Sequence, residues 1–310
     1  MNRPFVDLVE VTKDFRSHWT FRAIRAVDRL SVSITEGEIF GLIGHNGAGK
    51  TTTFKMLVGL IRPTRGRLIW RGCGQRMLPA IGFSPEQPYF YDHLTVSETL
   101  NFYGQLYGMT AGARQRRIAY LLDQFRIGHK RDAPMRTLSK GTLQRVAVAQ
   151  AIMHQPRFVV LDEPMSGLDP AGRKEMRDLI VSLKRAGTTI IFSSHILSDA
   201  EALCDRVGIL AGGRLQEIVS IDHAAAPPEA YTLVVIDASF GVLESLSRIA
   251  AAPPHGGPDR WSVKLPNQMA VKAALAVLSG SDATVEAIVP ERPSLEQRFL
   301  RCAATETNGD

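Results

Sequence analysis

No run of about 18 apolar residues occurs in this chain, so no segment is expected to cross a bilayer as a helix. The opening residues, MNRPFVDLVEV, hold no apolar stretch of signal-peptide length. Cysteine is scarce. Cys73, Cys204 and Cys302 are an odd set without metal-ligand spacing, which argues against a disulfide framework and reads as free thiols in a reducing compartment. There is no internal repeat and no sustained heptad pattern. A cytoplasmic protein is the expectation.

Acidic residues are outnumbered, 31 against 37 Lys and Arg, for a net charge of +6 and a pI near 9.4. A basic balance points towards nucleic acid or an anionic membrane surface. The basic residues are spread along the chain, however, with only short clusters at Arg114–Arg117 and His129–Arg131. A solvated basic surface is the plainer reading, and weak attraction to a membrane face stays open. With 45% hydrophobic and 22% charged residues the composition is that of a globular protein with ample core. The length of 310 residues suits one large domain or two ordinary ones.

Strand-like alternation runs through Phe5–Val11, Leu30–Ile34 and Ile39–Ile43, the last leading into a glycine-rich turn and a helical segment at Thr51–Leu60. Leu68–Trp70 and Ala80–Phe83 read as short strands. Leu94 to about Met153 reads as helical, with turns at Gly104–Thr110 and Gly128–Pro134. Phe158–Leu161 is a continuous apolar strand of the buried kind. Helix Gly172–Arg185, strand Thr188–Ser193, helix Ser198–Cys204 and strand Arg206–Leu210 complete an alternating α/β body. At Ala224–Glu229 the sequence AAAPPE breaks every pattern and reads as a linker. Beyond it a β-α-β-α-β order (Tyr231–Asp237, Phe240–Ala251, Trp261–Leu265, Gln268–Leu278, Thr284–Val289) and a last helix through Leu295–Ala303 predict a small second α/β domain over 224–310.

Gly44-His45-Asn46-Gly47-Ala48-Gly49-Lys50-Thr51-Thr52 follows an apolar strand and opens a helix, the setting a P-loop needs. Its glycines let backbone N–H groups curl around phosphate oxygens, and the helix start aims its positive end at the same anion. In such a loop Lys50 reaches the β- and γ-phosphates and Thr51 holds magnesium. Phe158–Leu161 then ends in Asp162 and Glu163. Two carboxylates at the end of a buried strand need a partner, because an ionised carboxylate is costly to desolvate alone. A magnesium ion is such a partner for Asp162, and Glu163 is placed to act as general base on an attacking water.

Leu138-Ser139-Lys140-Gly141-Thr142, before Leu143-Gln144-Arg145, resembles the LSGGQ signature of ABC ATPases. Lys140 and Thr142 depart from the consensus, while Ser139 and Gly141, the γ-phosphate contacts of that family, remain. By residues alone, Ser139 is an ordinary helix N-cap. Ser166-Gly167-Leu168-Asp169 is similar to the D-loop, and Ser194-His195 resembles the family's switch histidine. Phe15 is similar to the aromatic that stacks on adenine, with a core aromatic as the alternative. Arg16–Arg25 looks inserted and has no assigned role. In Gly82-Phe83-Ser84-Pro85-Glu86-Gln87, either Glu86 or Gln87 stands where the family has its metal-water glutamine.

The resemblance covers nearly all of residues 5–220. It implies an α/β P-loop ATPase domain over 1–223, with a helical subdomain at about 87–155, that uses ATP and Mg2+. Pro293-Ser294-Leu295-Glu296-Gln297-Arg298-Phe299 is similar to the ending of multidrug- and polysaccharide-type exporter ATPases. The resemblance further implies a head-to-tail homodimer with two ATP molecules between subunits. It implies a separate integral membrane subunit docked near Tyr89–Gly108, where Tyr89, Phe90 and Tyr91 read as either groove or core. The place of work would be the cytoplasmic face of the membrane. A soluble ABC ATPase acting on ribosomes or DNA is the alternative. Translation-type members carry two cassettes and DNA-repair members a long coiled coil, and this chain has neither, so no nucleic-acid partner is expected. A P-loop kinase would leave the signature and D-loop unexplained.

Overall fold

The computed structural model describes residues 3–16, 23–71, 81–221, 228, 230–257, 259–291 and 294–307. The chain divides into two compact units, Met1–Ile221 with Phe299–Asp310, and Asp222–Arg298. The Ala224–Glu229 linker (Pro228 apart), Cys73 and most of the Arg16–Arg25 stretch lie outside the described residues.

Among the described residues the first unit holds two sheets. β1 (Pro4–Arg16) pairs antiparallel with β2 (Ala23–Thr35), both longer than the sequence alternation suggested, and with β4 (Arg65–Trp70), in the order β2-β1-β4. The larger sheet gathers β3 (Ile39–Ile43), β5 (Ile81–Ser84), β6 (Phe158–Leu161), β7 (Thr189–Ser194), β8 (Arg206–Ala211) and β9 (Arg214–Ser220) in the order β5-β6-β7-β3-β8-β9. The first five are parallel, and β9 closes the edge antiparallel to β8. Every residue of β3, β6 and β7 is buried, as unbroken apolar runs in a sheet covered on both faces require. β9 was not foreseen. Its alternating half-buried and exposed residues, Leu215 and Glu217 among them, are those of an edge strand with one wet face.

The core joins both sheets: Phe5 of β1 stacks on Phe158 of β6 with ring centroids 5.3 Å apart, beside Phe54 and Leu57 of α1 (Lys50–Leu57). Between β5 and β6 run α2 (Val96–Leu106), α3 (Ala111–Gln124) and α4 (Lys140–Ala151). α2 starts on a reciprocal capping box between Thr95 and Glu98. α5 (Pro170–Arg185) and α6 (Leu197–Leu203) flank β7 in sequence.

The second unit runs β10 (Ala230–Ile236), α7 (Phe240–Ser247), β11 (His255–Gly256), β12 (Arg260–Leu265), α8 (Gln268–Leu278), β13 (Thr284–Glu291). Its sheet, in the order β11-β12-β10-β13, is antiparallel throughout, the split β-α-β arrangement of ferredoxin-like domains. The short β11 is the strand the sequence pattern did not reveal. Leu233, Val235, Leu246, Val263 and Leu265 form a core separate from that of the first unit. The boundary between the units falls inside α9 (Leu295–Thr307), which the sequence pattern had placed wholly in the second domain.

Candidate functional site

In a parallel α/β sheet the loops beyond the carboxyl ends of the strands form the binding crevice. Here β3, β6 and β7 are neighbours, and β5 lies next to β6. Their ends therefore deliver four loops to one edge: His45–Gly49 after β3, Asp162-Glu163 after β6, His195 after β7 and Pro85-Glu86 after β5. These loops enclose a cavity of about 460 Å³, lined among others by His45, Asn46, Gly47, Gly49, Lys50, Thr51, Thr52, Glu86, Asp162, Glu163, Ser166 and His195.

Two of the phosphate-loop glycines, Gly44 and Gly49, are sterically required. Gly49 caps α1 at φ +105, and a Cβ there would lie 2.4 Å from the Ala26 carbonyl oxygen. A Cβ on Gly44 would meet the Leu210 carbonyl oxygen at 2.4 Å. Ala48 between them is buried. The Lys50 side chain is buried, with Nζ donating to the carbonyls of Gly44 at 2.6 Å and His45 at 3.2 Å. The same ammonium is 3.7 Å from Glu163 Oε1. His195 Nδ1 lies 2.8 Å from Glu163 Oε2, so the acid stands between two nitrogen groups. Asp162 is buried, and its Oδ1 accepts a 2.6 Å hydrogen bond from Ser193 Oγ.

Glu86 lines the cavity and Gln87 does not; both are exposed. Phe15, 41% exposed on β1, is also absent from the lining; its ring lies 5.2 Å from Lys13 Nζ, so it is neither a core aromatic nor part of this cavity. Ser139 caps α4, its Oγ accepting the Thr142 N–H, and Asp169 caps α5 by accepting the Gly172 N–H at 3.0 Å. Neither Ser139, Gly141 nor Asp169 lines the cavity. Lys140 lies instead against Gly167, at φ +71, where a Cβ would come within 2.6 Å of its Nζ. Arg145 on α4 and Glu175 on α5 form an ion pair at 2.5 Å, tying the two helices together. Arg173 and Arg177 of α5 both bind the buried Asp199 of α6 and so fix the turn that carries His195.

Sequence reasoning passed over Ser193, Asp199 and the cavity-lining Ala26. A serine directly after the apolar run Ile190–Phe192 of a buried strand was the available signal for Ser193. Of Tyr89, Phe90 and Tyr91, only Phe90 is core; Tyr89 and Tyr91 are 86% and 53% exposed.

The arrangement suits a nucleoside triphosphate: a backbone cradle, a buried cation, and a carboxylate held at the far wall by an imidazole. Residues 27–166 match the family described as ABC transporter. An ABC transporter ATP-binding protein of Synechocystis is 40% identical over 96% of this chain and 84% of its own length. The bacitracin transport ATP-binding protein of Bacillus licheniformis is 41% identical over 64% of this chain and 66% of its own. Among solved structures, the ATP-binding subunit of an ABC transporter is 30% identical with a TM-score of 0.62, covering 70% of this chain and 90% of that one. A dimeric ATP-binding cassette with ADP and Pi (24% identical, TM-score 0.64, covering 70% and 98%) shares the fold. This chain belongs to the ATP-binding subunits of ABC transporters: its fold is the P-loop ATPase fold of that family, and ATP hydrolysis is its activity.

Proposed function

We propose that the chain works as a homodimer on the cytoplasmic face of a membrane, closing on ATP and opening after hydrolysis to drive a separate integral membrane subunit of an exporter. One observation carries the dimer. A single chain brings the phosphate loop, Asp162, Glu163 and His195 to one cavity, while Ser139 and Gly141 stand outside it. A second copy, head to tail, would supply the missing signature wall. The capped start of α4 then points its free N–H groups at a phosphate.

Within such a site Lys50 and the loop N–H groups hold the β- and γ-phosphates, and Thr52 closes the same wall. Glu163 takes the proton of the attacking water, and His195 orients that carboxylate. Asp169 acts from the D-loop side. Thr51, Asp162 and Glu86 offer an oxygen-only donor set, which fits Mg2+, an ion that keeps several waters and shares its shell with phosphate. Bound there, the ion would neutralise phosphate charge. Gln87 and Phe15, which do not line the cavity, are assigned to the metal-bound water and the adenine on the resemblance alone.

Residues near the Glu86 loop form a second cavity of about 380 Å³, lined by Pro88, Tyr89, Phe90, Tyr103 and Tyr107. An apolar groove with exposed tyrosines supports its use as the seat for a helix of the membrane subunit. Export is favoured by the resemblance of the Pro293–Phe299 segment to exporter ATPases. Residues 224–310 are assigned a role in assembly or regulation.

The test is Glu163→Gln with ATP and Mg2+. The variant should bind nucleotide, stop turning it over and double its mass by light scattering. Bound ATP on a chain that stays monomeric counts against the sandwich. Co-purification from membranes with mass spectrometry identifies the partner.

A further inference from the structure

Ser193, on β7, is not among the residues that line the nucleotide cavity. Its side chain is fully buried and makes two hydrogen bonds: Oγ is 2.6 Å from Asp162 Oδ1 and 2.8 Å from the backbone N of Glu163. The direction of both is fixed by inventory. A backbone N–H only donates and an ionised carboxylate only accepts, so the hydroxyl takes the Glu163 N–H on a lone pair and gives its one proton to Asp162. The second bond is charge-assisted and of matching length.

Glu163 itself sits at φ +49, in the left-handed region that side-chain-bearing residues rarely adopt. Such backbone persists only where its surroundings over-determine it. The Ser193 bond to the Glu163 N–H is one such restraint, and the Ser166 N–H bond to the Glu163 carbonyl at 3.0 Å is another. Thr and Ser are the side chains that can serve both acids from this strand position. Val, which suits a buried strand equally well, can serve neither.

We infer that Ser193 is a positioning residue for ATP hydrolysis. One hydroxyl fixes which Asp162 oxygen is left for the cation and holds the backbone that aims the Glu163 carboxylate at His195 and Lys50. This rests on the roles proposed above for Asp162 and Glu163.

The experiment compares Ser193→Ala, Ser193→Cys and Ser193→Thr with the wild type in the full chain, reading kcat, KM for ATP, the Mg2+ concentration for half-maximal rate, and the melting temperature. Loss of a group that orients a metal ligand costs roughly 10–100-fold in affinity or activity. Ser193→Ala should therefore lose kcat on that scale and require several-fold more Mg2+, with KM for ATP nearly unchanged. Ser193→Thr should restore kcat and the Mg2+ requirement, and Ser193→Cys, a weak donor, should fall between. An order of kcat values that follows melting temperature instead of hydroxyl content overturns the inference, as does a folded Ser193→Ala with wild-type kcat and Mg2+ requirement. Glu163→Gln is run alongside. Normal turnover by that variant removes the reading underneath, whereas an inactive Glu163→Gln beside an unaffected Ser193→Ala removes the role of Ser193 alone.

Discussion

The imidazole Nδ1 of His195 stands 2.8 Å from Glu163 Oε2, joining the loop after β7 to the loop after β6. The contact restrains a carboxylate whose backbone already sits in an unusual conformation. The base proposed above, held this way, needs both partners. Glu163→Gln should lower kcat by about 10²–10⁴, the usual worth of general base catalysis, with ATP affinity kept. His195→Ala should lose less, and the double variant should lose no more than Glu163→Gln alone, because residues that act as a unit are not additive. Phosphate release and nucleotide titration measure all three. Additive losses would separate the histidine from the acid.

Two inactive chains should rescue one another if the site is shared. Lys50→Ala spoils the phosphate-loop side and Ser139→Arg the signature side. A mixed dimer then holds one doubly broken site and one intact site, so mixing should restore part of the ATPase rate. A proven heterodimer without recovery means obligatory two-site turnover or sites enclosed within one chain.

The parts of this site that were legible in the sequence are those whose chemistry is local. Gly44–Thr51 declares itself because glycines, a lysine and a hydroxyl must lie in one turn, and Asp162-Glu163 because acids seldom end a buried strand. Ser139 was readable as a cap for the same reason, whereas the cap that Asp169 places on α5 was not read from the sequence. What escaped depends on strands far apart in sequence becoming neighbours. Ser193 bonds to a pair of acids some thirty residues earlier in the chain. The ion pairs that anchor Asp199 span α5 and α6. β9 escaped for a different reason: its alternating pattern is short and interrupted by charge, so it reads as loop until β8 pairs with it.

His154 ties the end of α4 to β5, Nε2 lying 3.1 Å from the Ile81 carbonyl oxygen while the ring stacks on Tyr107 with centroids 3.7 Å apart. Its Nδ1 is buried and has no hydrogen-bond partner among the described residues. Burial pushes the imidazole below its ordinary value of 6.5, the Ile81 bond opposes that, and the nearby Arg117 charge adds to it. A group depressed in the folded state favours folding above its unfolded value, because the unfolded chain binds the extra proton as pH falls. Stability should therefore be full above pH 6.5 and decline below it. His154→Gln keeps a donor for Ile81 and cannot charge. Its melting temperature should fall less than that of the wild type between pH 7.5 and 5.5, and parallel curves would show that His154 does not titrate in this way.

The two cores predict separable stabilities. Leu233 on β10 is fully buried among Val235, Val263 and Leu265 of the second unit, and shares no cluster with Phe40, Phe54 or Phe158 of the first. Leu233→Ala removes three buried carbons and leaves a cavity in a small core, a change worth about 2–5 kcal/mol. In a domain of this size about 1 kcal/mol moves the melting point by roughly 4–8 °C, so the loss should appear in calorimetry as an early transition. The later transition, belonging to the ATPase unit, should stay in place and keep its upward shift on adding ATP, since a ligand stabilises only the unit that binds it. Nucleotide affinity measured below the first transition should match the wild type. A single transition that moves as a whole, or a loss of ATP affinity in the folded variant, would mean that the second unit is part of the nucleotide-binding structure and does not fold beside it independently.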